Sequence, residues 1–159
     1  MGTAVKFEVK EIVWPRKNFV TKRAIVSFDK LSTFFAETYG AIYKAIKTAE
    51  KVGNEPPCAI YYSVDEMKKE TDVAAAVPVR NNGNNEVAGF EEVTIPESKA
   101  LQLTYYGSYE NMRPAYEALD RYAADHKLQT QLMLEEYFSD PIVERDPSKW
   151  KTNIYFFVK

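Results

Sequence analysis

The chain has 159 residues and a formal net charge of -2, with 45% hydrophobic and 28% charged residues. This length suits one ordinary domain, and the composition is that of a globular protein rather than a disordered segment. A weakly acidic chain without a basic stripe offers no general attraction to nucleic acid phosphates. We therefore expect no direct nucleic acid binding.

The counts of cysteine and histidine bear on disulfides and metal sites. One cysteine, Cys58, cannot form an internal disulfide, and one histidine, His126, does not complete a set of soft metal ligands. No glycine-rich phosphate loop is present, so we expect neither a metal nor another cofactor. The N-terminus is too charged for a signal peptide, and no apolar run is long enough to cross a bilayer. A cytoplasmic location without membrane contact is the expectation.

The first half of the chain alternates strand and helix patterns. Apolar residues recur at helical spacing from about 30 to 52, and Gly53 supplies a stop signal. The N-terminal segment alternates and is expected to add an edge strand. The strand patterns of this half cover residues 6–14, 22–28, 58–64 and 72–79. After the N-terminal segment, the order is therefore strand, helix, strand, strand.

The second half repeats this order. Its strand patterns cover residues 98–106, 132–138 and 153–158. Pro114 is tolerated only in a first helical turn, which favours Asn111 over Ser108 as the N-cap of the intervening helix. We therefore predict an α+β fold of duplicated strand-helix-strand-strand units in one domain, with pseudo-repeats at about 5–80 and 90–159.

The asparagine-rich stretch 81–85 lies near the midpoint of the chain. It is either the connector between the two units or a hairpin turn inside one of them. Each unit would have a three-stranded sheet with a helix on one face only. The other face of the sheet would remain uncovered, so two units are expected to join.

Two adjacent glutamates interrupt the last strand but one. Successive side chains of a strand point to opposite faces, so Glu135 and Glu136 cannot share a face. The apolar residues on the Glu136 side are Leu132, Leu134 and Phe138. This pattern predicts that Glu136 faces the helix, and that Glu135 shares the open face with Met133 and Tyr137. The alternative left open is that Glu135 is a solvated carboxylate on an exposed face and that Glu136 is the buried anomaly.

A cleft carboxylate beside a tyrosine has a chemical use. Burial raises the pKa of a carboxylate unless hydrogen bonds or a cation hold its charge, and a tyrosine hydroxyl or an organic cation can do so. The same pair could act as a general acid or base. Tyr106, at the end of its strand, and Tyr62, which matches Tyr137 in the repeat, are further candidates to line a ligand site. Ordinary packing explains each of them about as well, and Trp150 is a weaker candidate for a lid.

Several short motifs occur in the order found in one known family. They are PPCAIYY (56–62), AAVPV (75–79), YYGSYENMRPAYEALDRY (105–122), LEEYFSDP (134–141) and TNIYFFV (152–158). Over about residues 5 to 159, the chain resembles the GyrI-like domain, which is also called the AraC-type or bacterial transcription activator effector-binding domain.

The resemblance implies one curved antiparallel sheet, with helices on one face and a ligand cleft on the other. Members of the family bind amphipathic small molecules, often aromatic or cationic. A glutamate in an E-x-Y pattern commonly lies at the centre of the cleft, and here that position falls on Glu135. Tyr155 falls where members often carry an aromatic residue.

Three functions are compatible with the resemblance. The leading one is a small-molecule-binding domain. The alternatives are a hydrolase of the same fold that uses Glu135 and Tyr137, and an inhibitor module that binds a protein partner through acidic surface residues. Related regulators carry a DNA-binding module before this domain, and the chain is too short for one, so the fold does not by itself imply a role in transcription.

Overall fold

The computed structural model describes residues 7–51, 53, 55–80, 86–140 and 142–159. The stretch 81–85 and the end of the predicted first helix at Val52 lie outside the described residues. The chain forms two compact units. We call Trp14–Ser98 the central unit, and the described part of Met1–Val13 together with Lys99–Lys159 the terminal unit.

The strands and helices follow the predicted order with one addition. In chain order they are β1 (Val9–Trp14), β2 (Lys17–Ser27), α1 (Leu31–Thr48), β3 (Cys58–Asp65), β4 (Glu70–Val79), β5 (Glu91–Ile95), β6 (Ser98–Tyr106), α2 (Arg113–Asp125), β7 (Thr130–Tyr137) and β8 (Lys151–Val158). The sequence patterns miss β5, because its five residues include two glutamates and are too few for a clear alternation.

The central unit is an antiparallel sheet with α1 on one face. β4 lies between β3 and β2, and β5 pairs with the other side of β2. Ile42 and Ile46 of α1 belong to one apolar cluster with Val20, Ala75 and Val77 of the strands. Alternate strand residues therefore face the helix, as the period of two requires.

The terminal unit repeats this arrangement with α2. Its strand order is β1-β6-β8-β7, so the N-terminal segment supplies an outer strand, as predicted. Leu119 of α2 packs in one cluster with Leu103, Ile154 and Phe156. Together the two units confirm the α+β class and the duplicated strand-helix-strand-strand order. No helix of the described residues is long and apolar enough to span a membrane.

Both helices end without a glycine. Beyond α1, Glu50 adopts φ 57°, and the N–H of Lys51 donates to the carbonyl of Ile46 at 3.0 Å. These are the features of a Schellman motif, in which a left-handed residue ends the helix. Lys127, with φ 54°, takes the same position beyond α2. The predicted stop at Gly53 is therefore wrong, because Glu50 already provides the left-handed residue.

The predicted cap of the second helix is also wrong. Asn111 belongs to a short 3-10 turn, and its side-chain amide donates to Ser108 Oγ at 3.0 Å instead of capping α2. Met112 occupies the N-cap without a side-chain hydrogen bond, and Pro114 lies in the first turn, as expected. The 3-10 turn delays the start of the helix by one residue and places Tyr109 next to the site described below.

Candidate functional site

The two glutamates of β7 lie on opposite faces of the terminal unit's sheet, but with the sides reversed from the prediction. β7 pairs with β8 so that Glu135 is opposite Ile154 and Met133 is opposite Phe156. Ile154 and Phe156 belong to the apolar cluster beneath α2. Glu135 and Tyr137 therefore face the helix, and their predicted place on the opposite, open face is wrong.

The error has a physical cause. The apolar residues that were expected to face the helix differ widely in burial, since Leu134 is fully buried and Phe138 is exposed. β7 is buried on both faces over its second half, where Glu135 and Glu136 are 7% and 5% exposed. When both faces of a strand are covered, the number of apolar residues on each face no longer identifies the one that the helix covers.

Glu135 is held by two tyrosine hydroxyls. Tyr137 Oη donates to Glu135 Oε1 at 2.6 Å, and Tyr116 Oη, from α2, donates to the other carboxylate oxygen. Burial raises the pKa of Glu135, and the two hydrogen bonds, from Tyr116 and Tyr137, oppose that rise. The pair selected from the sequence is thus in direct contact, and the helix adds a second donor.

An aromatic cluster lies beside this carboxylate. Tyr109 meets Tyr137 edge to face, with 5.5 Å between ring centroids, and lies 5.1 Å from the Trp150 ring. Burial and then the charge of Glu135 raise the pKa of Tyr109. We call Tyr109, Tyr116, Tyr137 and Trp150 the aromatic cluster.

Sequence patterns alone do not point to Tyr109 or Tyr116 as site residues. The signal for Tyr116 is the polar tip that it places on the core-facing side of α2, because a buried tyrosine hydroxyl normally has a partner. Tyr109 gives no such signal, since the 3-10 turn that positions it was not expected. Trp150, the weak lid candidate, lies directly before β8 and donates its indole N–H to the carbonyl of Glu144 at 2.6 Å.

Tyr155 lies on the other face of the same sheet. Its hydroxyl donates to Glu136 Oε1 at 2.9 Å and accepts from the side-chain amides of Gln102 and Asn153 at 3.1 and 3.2 Å. Burial, followed by the charge of Glu136, raises the pKa of Tyr155. This network joins β6, β8 and β7 on the face of the sheet opposite the Glu135 carboxylate.

The remaining two candidates also lie away from Glu135. Tyr106 is 61% exposed and shares the Tyr155 face, in a groove of about 520 Å³. The groove is lined by Phe7, Glu8, Lys10, Gln102, Thr104, Tyr106 and Lys151. Tyr62 belongs to the central unit, where the Arg23 guanidinium lies 3.7 Å from its ring centroid and makes two 2.8 Å hydrogen bonds to Asp72.

The buried carboxylate predicts a dependence of stability on pH. Because burial raises the pKa of Glu135, the folded state holds its proton more tightly than the unfolded chain does. This contribution to the free energy of unfolding is fully present below the ordinary glutamate pKa of 4.5 and is lost as pH rises through the folded-state pKa. Melting temperatures of Glu135→Gln and wild type, taken across that range, are expected to diverge in favour of Glu135→Gln as pH rises. A difference that stays constant with pH would contradict this expectation.

Comparison with known proteins gives the family. A model of the GyrI-like small molecule binding domain matches residues 7–159. The chain belongs to this family. No curated protein matches the GyrI-like chain. Among solved structures, it is similar to the C-terminal domain of EcmrR, with a TM-score of 0.84 and 22% identity, covering 98% of this chain and 99% of that one.

Two further solved structures share the fold at lower identity. One is a hydrolase from Listeria innocua, with a TM-score of 0.68 and 14% identity, covering 98% of this chain and 94% of that one. The other is SAV2435 bound to tetraphenylphosphonium, with a TM-score of 0.59 and 13% identity, again covering 98% and 94%. At such identities, the likeness concerns the fold alone.

The geometry gives a reason for the E-x-Y spacing in this GyrI-like domain. Residues two apart on a strand share a face, so Glu135 and Tyr137 can form a hydrogen bond within one strand. The residue between them, Glu136, points to the other face and takes part in the Tyr155 network. Adjacent carboxylates thus belong to two separate sets of contacts.

Proposed function

We propose that this GyrI-like domain binds an amphipathic small molecule that is aromatic and cationic, with Glu135 as its counter-charge. The observation that carries the proposal is a buried carboxylate beside the aromatic cluster. Its two donors, Tyr116 and Tyr137, are neutral hydroxyls. Among the described residues, no Lys, Arg or His forms an ion pair with Glu135.

A bound cation would complete this arrangement. Burying a carboxylate without an opposite charge is costly, and hydrogen bonds from neutral hydroxyls offset only part of that cost. A positive ligand would supply the missing charge, and each well-placed aromatic face would add about 0.5 to 2 kcal/mol of cation–π attraction. Tyr109 and Trp150, whose rings lie 5.1 Å apart, provide such faces near the carboxylate.

The family and one solved structure support this class of ligand. The family is one of small-molecule-binding domains. SAV2435, which shares the fold, was solved with tetraphenylphosphonium, an aromatic cation. That compound is therefore a suitable first probe for this chain.

The decisive experiment compares two neighbouring substitutions. Glu135→Gln keeps the shape but removes the charge, and we expect it to weaken tetraphenylphosphonium binding by about 30-fold or more, which is about 2 kcal/mol. Glu136→Gln is the matched control, since that side chain lies on the other face and retains an oxygen for Tyr155; its affinity should stay within about twofold of wild type. Isothermal titration calorimetry measures both. Equal losses of affinity in the two variants, or no loss in Glu135→Gln, would contradict the proposal.

The proposal also gives the affinity a pH profile. Tetraphenylphosphonium keeps its charge at every pH, so any titration belongs to the protein. The cation favours the carboxylate form of Glu135, and affinity should therefore rise as pH rises through the pKa of Glu135 and then level off. Glu135→Gln should remove this dependence. A profile that survives in Glu135→Gln would assign the titration to another group.

Acid-base chemistry at the same pair is a second candidate function. The 2.6 Å contact between Tyr137 Oη and Glu135 is the observation that favours it, because a carboxylate of raised pKa can take a proton from a water molecule that attacks an electrophile. A Listeria innocua protein of the same fold is a hydrolase.

Turnover separates this candidate from simple binding. Incubation with electrophilic aromatic compounds, followed by mass spectrometry, should give a hydrolysed product with wild type and with Glu136→Gln. The product should vanish with Glu135→Gln and fall strongly with Tyr137→Phe. If the compounds bind but are recovered unchanged, the hydrolase candidate fails and only the binding function remains.

A further inference from the structure

Thr152 places a hydroxyl at the base of the aromatic cluster. It lies on β8 directly across from Tyr137 of β7 and from Tyr105 of β6, so its side chain shares their face. The residue is fully buried. Among the described residues, none forms a hydrogen bond with Thr152 Oγ1.

The two neighbouring tyrosines already use their protons elsewhere. Tyr137 Oη donates to Glu135 at 2.6 Å, and Tyr105 Oη donates to the carbonyl of Ser108 at 2.7 Å. Neither hydroxyl can donate to Thr152 without giving up a bond to a stronger acceptor. The Thr152 hydroxyl does not donate to either tyrosine oxygen, so it takes no part in the hydrogen bonds around it.

A buried hydroxyl without a hydrogen bond lowers the stability of the fold, which suggests that it is retained for a function. Leaving a buried polar group unsatisfied destabilises a protein, whereas valine has nearly the same shape and no such group. Buried polar groups are satisfied with few exceptions, and each exception calls for an explanation. At a ligand site, the simplest explanation is a polar atom of the ligand.

The position of Thr152 relative to Glu135 limits where that atom can be. Glu135 is opposite Ile154, and Thr152 is two residues away on β8, which makes Glu135 and Thr152 diagonal neighbours. Such neighbours have Cα atoms about 7–8 Å apart. A ligand with its cationic centre at Glu135 would therefore reach Thr152 with a short substituent next to that centre.

We infer that Thr152 selects, among cationic aromatic ligands of this site, those that carry a hydroxyl or similar hydrogen-bonding group close to the cationic centre. The inference rests on the proposed function, because it assumes that the cation lies at Glu135. It adds a specificity-determining residue and narrows the ligand class.

A matched pair of probes tests the inference. Benzyl(2-hydroxyethyl)dimethylammonium and benzylethyldimethylammonium differ by one hydroxyl, and both are aromatic cations. Wild type should bind the hydroxylated probe about 5- to 10-fold more tightly, as expected for one buried hydrogen bond. Thr152→Val should remove this preference, and Thr152→Ser, which keeps the hydroxyl, should retain it. Calorimetric titration of both probes gives the ratio directly.

The melting temperature of the unliganded variants supplies a second readout. Thr152→Val should melt at or above the wild-type temperature, because a methyl group replaces an unsatisfied hydroxyl. A lower melting temperature together with an unchanged probe ratio would overturn the inference and assign the hydroxyl a structural role. Any probe ratio that is the same in wild type and Thr152→Val also overturns it.

Failure of the proposed function looks different. If both probes bind in a Glu135-dependent manner but without a Thr152-dependent ratio, only this inference fails. If neither probe nor tetraphenylphosphonium binds wild type, or if Glu135→Gln does not weaken their binding, the proposed function fails and the inference fails with it.

Discussion

Replacing Phe156 by alanine is expected to lower the free energy of unfolding by about 3–5 kcal/mol. The ring is 1% exposed and belongs to the apolar cluster between the terminal unit's sheet and α2. Its removal leaves a cavity that the surrounding helix and strands can close only in part. Chemical denaturation of the variant and wild type measures the loss.

The same substitution should weaken the ligand site, because Phe156 supports Tyr116. The two ring centroids are 5.8 Å apart, and Tyr116 is a donor to Glu135. Without Phe156, Tyr116 loses the contact that orients its hydroxyl, so tetraphenylphosphonium binding should fall as well as stability.

A neighbouring residue provides the control. Phe157 is also buried but points to the other face, opposite Leu132 of β7. Phe157→Ala should cost a similar amount of stability and leave ligand affinity nearly unchanged at temperatures where the variant is folded. If Phe156→Ala does not fold, Phe156→Leu offers the same comparison with a smaller cavity. Equal effects on affinity from the two positions would disprove the link between Phe156 and the site.

The sequence predicts those features of the structure that local rules such as strand alternation determine, and it does not predict those that depend on tertiary packing. The period of two requires Glu135 and Tyr137 to share a face, and they do, in direct contact. The choice of face depends instead on what packs on each side of β7. Leu134, expected to face the helix, is fully buried on the other side, so the apolar pattern could not reveal that choice.

Local sequence patterns do not predict contacts between segments that are distant in the chain. Tyr116 reaches Glu135 from α2, across 19 residues of sequence, and nothing near either residue encodes that contact. The ends of the helices were mispredicted for a related reason. Glu50 and Lys127 adopt positive φ angles that glycine would favour, so the Schellman motifs are formed by residues without the usual signal.

Gly107 is the position where a single methyl group is expected to do most harm near the site. Its φ is 144°, and a Cβ added there would lie 2.6 Å from Tyr105 Oη. The Tyr105 ring cannot move away cheaply, because it is buried and its hydroxyl donates to the Ser108 carbonyl at 2.7 Å. Backbone strain of about 1–3 kcal/mol and a similar cost of overpacking should together destabilise Gly107→Ala by about 2–6 kcal/mol.

Gly89→Ala separates the two causes. Gly89 also has a positive φ, 85°, but nothing lies within 4 Å of a Cβ added there. Its substitution should therefore cost only the backbone strain, and the difference between the variants measures the clash with Tyr105. Since the Gly107 N–H donates to the Trp150 carbonyl at 2.9 Å, Gly107→Ala should also displace Trp150 from the aromatic cluster and weaken tetraphenylphosphonium binding. Similar losses of stability in the two variants, with binding intact in both, would show that Tyr105 and Trp150 yield easily to the added methyl group.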